Sequence, residues 1–204
     1  TSVHISDIAA WCNISFDDTP LGYAHHLYLN EEEIKDLIIP NSVERIGNNA
    51  FHSCSGLTSV TIPNSVTSVG NATFYNCNGL KSITIGNSVT SIGNNAFSGC
   101  NDINNVKVLV TDYSSFCSNK VVGLIYTHIR KPVQLVDMEG TEIKEFVVPE
   151  GVTSIGNSAF ANCSGLSSFT IPNNVTSIGQ SAFQGCSGLM SFTIPNCVTN
   201  ISDC

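Results

Sequence analysis

Apolar residues recur along this chain in columns that repeat every 23 residues. The bulkiest column is aromatic and contains Phe51, Phe74, Phe97, Phe160 and Phe183. Residues 57–62 place Val60 and Ile62 on one side of an extended chain and polar residues on the other, which is the pattern of a half-buried strand. Because this alternation returns in each repeat, it predicts one strand per repeat and one parallel sheet along the molecule.

Proline and glycine mark the turns between these strands. A proline follows the strand at Pro40, Pro63, Pro149, Pro172 and Pro195, and Gly86 takes that place once. A glycine then recurs at Gly47, Gly70, Gly93, Gly156 and Gly179, where we predict a tight corner that uses the backbone freedom of glycine. The following segment, residues 48–54 in the first repeat, has room for one helical or 3₁₀ turn. A period in the twenties is typical of a solenoid, whose coils stack to bury their apolar sides.

The aligned repeats share the consensus I-P-N-x-V-T-S-I-G-N-x-A-F-x-x-C-x-G-L-x-S-x-T. This motif resembles the BspA-type (Treponema-type) leucine-rich repeat, with small departures such as Gly86 for proline and Thr73 for alanine. The resemblance implies a β-rich leucine-rich-repeat solenoid, a right-handed curved coil stack with one parallel sheet and short helical or 3₁₀ turns on the opposite side. The bias of parallel crossovers supports the handedness. The resemblance also implies a microbial surface protein that binds host or microbial partners.

Two longer stretches interrupt the period and resemble each other. Residues 3–12 correspond to residues 108–117, and the second copy is four residues longer. Ser6 and Thr111 are predicted N-caps of a short helix in each copy. An extended pair should follow: residues 26–29 with 34–39 in the first copy, and a pair that turns near residues 137–140 in the second.

These stretches define the organisation of the chain as a duplication. Enlarged units at about residues 1–33 and 109–142 alternate with regular repeats at about 34–108 and 143–204. Because coils contact only their neighbours, we predict a single solenoid domain over residues 1–204. The chain lacks an initiator Met and stops inside a repeat, which favours a fragment of a longer protein.

Charge is concentrated in the enlarged units and excludes several functions. The net charge of −8 and the pI near 4.9 argue against nucleic acid as a partner. Residues 151–202 contain no Asp, Glu, Lys or Arg, and residues 46–101 contain only Lys81. Acid–base catalysis requires positioned carboxylates, which the regular repeats lack. The histidines show no zinc-ligand spacing, so we predict no metal site. We also predict no enzyme activity and no cofactor. No apolar run has transmembrane length, so we predict no membrane insertion within this segment.

The nine cysteines favour buried thiols over disulfides. Five of them, Cys54, Cys77, Cys100, Cys163 and Cys186, occupy one repeat position. There a thiol acts as a small hydrophobe, and parallel side chains in stacked coils disfavour a bond between them. We therefore predict a reduced, protected column, with Cys204 the most reactive thiol.

The sequence favours a non-catalytic cell-surface or secreted module that mediates protein–protein binding or adhesion to a protein or other extracellular macromolecule. Its localisation rests on the family resemblance alone. The candidate partner-binding residues lie in the enlarged units or on the outward row of the sheet: Tyr23, Tyr28, Tyr126, His128, Arg130, Lys131, Thr58, Thr61, Lys81, Thr84, Lys107, Thr170 and Thr193. The alternative is a passive spacer or stalk that displays another domain, which identical neutral coils would also suit.

Overall fold

The computed structural model of the protein describes residues 2–22 and 24–202. They form a β-solenoid with parallel sheets and few helices, which confirms the predicted fold class. The chain divides into two compact units, Thr1–Val106 and Lys107–Cys204. The boundary lies beside Val108, where the second copy of the duplicated sequence begins.

Unit 1 begins with an enlarged coil and continues with regular coils. The enlarged coil contains β1 (Val3–Ile5), α1 (Ile8–Cys12), β2 (Leu27–Leu29) and β3 (Glu32–Glu33). The regular coils contain β4 (Asp36–Ile38), β5 (Arg45–Ile46), β6 (Ser59–Ile62), β7 (Ser68–Val69), β8 (Ser82–Gly86) and β9 (Ser91–Ile92). β1 and β2 pair in parallel, and β2 turns back on β3.

The second unit repeats this order with one additional helix. After β10 (Asn105–Leu109), its enlarged coil contains α2 (Tyr113–Cys117), α3 (Val121–Ile129) and β11 (Gln134–Val136). The regular coils contain β12 (Glu145–Val147), β13 (Ser154–Ile155), β14 (Ser168–Thr170), β15 (Ser177–Ile178) and β16 (Asn200–Ile201). β10 and β11 pair in parallel.

Most regular coils contribute strands to two parallel sheets, of which the sequence predicted only the first. β4, β6 and β8 form the first sheet of unit 1, in which Leu37 lies opposite Val60 and Val60 opposite Ile83. β5, β7 and β9 form a second sheet beyond the proline turn. Unit 2 likewise pairs β12 with β14 in one sheet, and β13 with β15 and β15 with β16 in another. Strands of two residues are too short to show alternation, so the second sheet was missed.

The enlarged coils divide the first sheet, which is therefore not the single sheet that the sequence predicted. In unit 1 the extended partner of β2 is β3 rather than residues 34–39, because Asn30 and Glu31 adopt left-handed φ angles of 49° and 70° and reverse the chain early. In unit 2 an antiparallel bridge joins Val136 to Glu142 ahead of β12. Among the described residues, β4 and β12 each have a paired strand on one edge only.

Stacked phenylalanine rings form the centre of the core. In unit 1, Phe74 lies between Phe51 and Phe97, with ring centroids 5.3 Å apart on both sides and planes within 7° of parallel. In unit 2, Phe160 stacks on Phe183 at 5.6 Å. Equivalent residues therefore contact each other between coils, as the 23-residue spacing predicted.

The corners depend on close approach of neighbouring coils rather than on the backbone freedom of glycine. A Cβ atom on Gly70 would lie 2.6 Å from the backbone nitrogen of Asn48, so no larger residue fits. The Asn48 side chain accepts a hydrogen bond from the Asn71 N–H, and the Asn71 side chain accepts one from the Asn94 N–H, both at 2.8 Å. The left-handed residue of these corners is Asn49, Ala72 or Asn95, not glycine.

The short helices of the enlarged coils are capped one residue later than predicted. The Asp7 side chain, not that of Ser6, accepts hydrogen bonds from the backbone N–H groups at the start of α1. Asp112 does the same for α2 in place of Thr111. Aspartate is as good a cap as serine, so the sequence left two adjacent choices.

The repeated cysteines occupy the core, and several of them donate hydrogen bonds between coils. Cys54, Cys77, Cys100 and Cys163 are buried thiols, whereas Cys186 is half-buried. The Cys77 thiol donates to the Phe51 carbonyl at 3.1 Å, and the Cys100 thiol donates to the Phe74 carbonyl at 2.9 Å. The cysteine column is therefore a polar link between coils as well as an apolar filler.

Removal of a stacked ring should cost far more stability than removal of an outward threonine. Phe74→Ala should lower the free energy of unfolding by about 3–5 kcal/mol, because it leaves a cavity between two rings. Thr84→Ala, on the outer face of β8, should cost under about 0.5 kcal/mol. Denaturant unfolding of both variants measures the difference, and equal midpoints would contradict the inward and outward assignment.

Thiol labelling should follow burial along the chain. A small alkylating reagent should modify the half-buried Cys186 and Cys197 before the buried Cys12, Cys54, Cys77, Cys100, Cys117 and Cys163. Cys204, predicted to react first, lies outside the described residues. Mass spectrometry of native and denatured protein gives the order, and early labelling of Cys54 would show that the column is open.

Alkaline pH should destabilise the protein through the same thiols. Burial raises the pKa of Cys54 from 9.0 to about 12. Between these values the unfolded chain loses a proton that the folded chain keeps, so stability falls by about 1.4 kcal/mol per pH unit for this cysteine. Below pH 9 both the folded and the unfolded chain keep this proton, so the free energy of unfolding does not change through Cys54. Denaturant unfolding from pH 8 to 10.5 should show a shallower decline for Cys54→Ala, and identical slopes would contradict the burial of this thiol.

Candidate functional site

The outward row of unit 1 lies on the face of the first sheet that points away from the core. Thr61 in β6 and Thr84 in β8 are half-buried, and they lie opposite each other in the parallel register. Thr58 and Lys81 come directly before these strands, and Lys81 is exposed. The structure thus brings these four residues onto one polar face.

The corresponding residues of unit 2 are less regular. Thr170 is exposed in β14, opposite Val147. Thr193 is exposed in a described segment without strand structure, so the predicted row ends before it. Lys107 is half-buried in β10 and lies opposite Gln134.

A carboxylate that sequence analysis did not select organises the start of the face in unit 1. The Asp36 carboxylate accepts hydrogen bonds from the Ser59 hydroxyl at 2.5 Å and from the Thr58 hydroxyl at 3.0 Å. These two hydrogen bonds stabilise the ionised carboxylate and lower the pKa of Asp36 from its usual value of 3.8, and the bond from Ser59 has the larger effect. The Thr58 hydroxyl is therefore engaged within the protein, and the negative charge beside it persists at neutral pH.

Two large apolar side chains stand exposed at equivalent positions of the two units. Ile38, at the end of β4, is 70% exposed, and Val147, at the end of β12, is 60% exposed. Both occupy the outward position that Thr61, Thr84 and Thr170 hold in other coils. The 23-residue alignment identifies both positions as outward, although the residues predicted to bind a partner are all polar, charged or aromatic.

Two histidines, His4 in β1 and His26 directly before β2, lie beside glutamates of the β2–β3 hairpin. Tyr28 in β2 stacks on His4 with ring centroids 4.8 Å apart, so one face of its ring is covered. The His4 ring lies 3.4 Å from the Glu31 carboxylate, and the His26 ring lies 2.5 Å from that of Glu33. Tyr23, the other aromatic candidate of this unit, lies outside the described residues.

The remaining candidates cluster at the end of α3, a helix that the sequence analysis missed. The helix buries Val121, Val122 and Ile125, whose spacing of one and four residues was its only signal. Tyr126 on its exposed side is 36% accessible. Arg130 ends the helix with a left-handed φ of 54°.

The basic residues at this helix end differ in exposure. The His128 ring is half-buried and lies 2.7 Å from the Leu124 carbonyl, so a local hydrogen bond engages it. Arg130 and Lys131 are exposed. The structure therefore brings Tyr126, Arg130 and Lys131 to one accessible helix end.

Within residues 2–22 and 24–202, no three His, Cys, Asp or Glu side chains are grouped so that they could hold a metal ion. In the same residues, no helix has both the length and the apolar character needed to cross a bilayer.

Solved structures of leucine-rich repeat proteins resemble this chain. A leucine rich cell surface protein from Faecalibacterium prausnitzii A2-165 is 30% identical, with 82% of this chain and 43% of that chain covered and a TM-score of 0.38. A leucine-rich repeat protein from Bacteroides ovatus is 22% identical over 98% of this chain and 45% of that one, with a TM-score of 0.34. This chain therefore spans less than half of either protein.

No curated protein matches the chain. The family model for the BspA type leucine rich repeat region matches residues 24–137 and 138–204 with six copies. The matched residues cover most of the sequence and include the regular coils whose columns stack in the structure. The chain therefore belongs to the BspA-type leucine-rich repeat family.

Proposed function

We propose that this chain is a non-catalytic binding or adhesion module, displayed on a microbial surface or secreted, that contacts a protein or other macromolecule of a host or neighbouring microbe. The name of the Faecalibacterium relative, a cell surface protein, supports the location. The repeat scaffold supports the role, because solenoids present extended rigid surfaces.

The observation that carries this proposal is the location of the exposed apolar side chains. The described residues 39–106, which form regular coils, have no exposed large hydrophobic side chain. Ile38, Tyr126, Met138 and Val147, in contrast, are exposed within or next to the enlarged coils. A second exposed group, Met190, Ile194 and Ile201, lies in the last described coils of unit 2. Exposed apolar groups beside charged ones are typical of interaction sites, whereas a pure spacer has no use for them.

The end of α3 is the contact that we infer for unit 2. Tyr126 and Arg130 belong to the residue types that contribute most to interface energy. The ring of Tyr126 offers a rigid apolar surface, and the guanidinium of Arg130 can form paired hydrogen bonds with a carboxylate. The outward threonines, in contrast, offer small polar groups that suit a solvated face.

Beads coated with the protein should adhere saturably to host matrix or to neighbouring microbes, and soluble protein should compete. Tyr126→Ser and Arg130→Ser should each weaken adhesion by about tenfold or more, because residues of this kind commonly contribute more than ~1.4 kcal/mol to an interface. Thr84→Ala is the matched control and should leave adhesion unchanged. Adhesion no stronger than that of beads without protein would favour the spacer instead.

A further inference from the structure

A groove lies in unit 1 between the β2–β3 hairpin and β4. Its volume is about 400 Å³, within the range of ligand sites in proteins. Leu29, Ile34 and Ile38 provide apolar lining, and Glu32, Glu33 and Asp36 provide carboxylates.

One wall of the groove is an unpaired strand edge. The odd-numbered residues on either side of β4 form backbone hydrogen bonds with β6. The Lys35 carbonyl accepts one from the Ser59 N–H at 3.2 Å, and the Ile39 N–H donates one to the Thr61 carbonyl at 3.0 Å. Backbone groups alternate between the two edges of a parallel strand. The N–H and C=O groups of Asp36 and Ile38 therefore point to the opposite edge, where no described strand pairs with β4.

An edge of this kind is a template for another strand. The side chains of Asp36 and Ile38 lie on the outer face, so an added strand would meet a carboxylate and, two residues farther, an apolar group. The side chains on its other face would meet Leu29 and Ile34. Backbone pairing would supply affinity, and these side chains would supply selectivity.

The charge around the groove selects for a basic partner. Glu32, Glu33 and Asp36 place three carboxylates in its lining, against the single ammonium group of Lys35. The hydroxyls of Ser59 and Thr58 keep Asp36 ionised by hydrogen bonding. A cationic residue beside Asp36 would gain from this field, and an anionic one would be repelled.

We propose that the free edge of β4 binds an extended segment of a partner protein. The segment contains the pattern basic–apolar–apolar, read in either strand direction. The inference rests on the proposed binding function and names the partner chemistry for unit 1. The segment adds to the sheet as a strand beside Asp36–Ile38.

The test uses the peptide Lys-Val-Val-Val-Lys, blocked at both ends, which presents the required pattern in either strand direction. Fluorescence anisotropy with the full chain should show saturable binding that weakens with salt. The peptide Glu-Val-Val-Val-Glu should bind at least about tenfold more weakly. Equal binding of the two peptides, or none of the first, would overturn the proposal.

Backbone methylation tests the strand addition itself. One peptide is N-methylated at its second and fourth residues, and another at its third and fifth. Only one set of amides can face β4, so one peptide should lose about tenfold in affinity, as expected for lost hydrogen bonds, while the other stays within about threefold. Equal affinities would exclude edge pairing.

Matched variants locate the site. Asp36→Ser and Ile38→Thr copy the residues that Ser59 and Thr61 provide in the next coil, so the fold should tolerate them. Together they should lower affinity by about tenfold or more. Asp102→Ser with Met190→Thr, which removes one exposed carboxylate and one exposed apolar side chain outside the lining of the groove, should leave binding unchanged. Similar losses in both pairs would place the peptide elsewhere, and beads that still adhere to cells while the peptide fails to bind would leave the general binding role intact.

Discussion

Equal coil length is the constraint on which the rest of the structure depends. The Thr67 N–H donates to the Glu44 carbonyl, and the Thr90 N–H donates to the Thr67 carbonyl, both at 2.9 Å and across 23 residues. Such bonds join each coil to the next only while the register holds. Because the register holds, equivalent side chains of neighbouring coils stack on one another. A favourable contact such as that between Phe51 and Phe74 therefore recurs between successive coils.

Much of this could be predicted from the sequence, because a repeated residue must occupy a repeated environment. The buried columns, the first row of strands and the regular coils followed from spacing alone. The second sheet did not, since pairs such as Arg45–Ile46 are too short for a periodic signal. The role of the corner glycines was predicted wrongly for a different reason. A glycine such as Gly70 can be required either for a left-handed φ angle or because a neighbouring coil lies too close for a Cβ atom. The sequence of one coil does not distinguish these two requirements.

The candidate surfaces were less predictable, because they lie where the period fails. The end of α3 depends on a helix with no counterpart among the described residues of the first copy, and one face of the Tyr28 ring is covered by His4 from a neighbouring strand. Asp36 and Ile38 could have been found, since alignment with Ser59 and Thr61 places both on the outer face. The groove beside them could not, because it arises from the turn at Asn30 and Glu31.

The asparagine ladder at the corners explains why the regular coils lack charge. An aspartate at Asn48 or Asn71 would accept the same hydrogen bond, but register would then place like charges in adjacent coils throughout the column. Amides and hydroxyls avoid this repulsion. A surface built from them has little that can titrate and little for ions to screen. The regular coils should therefore present the same face in acidic and saline surroundings as in neutral dilute ones.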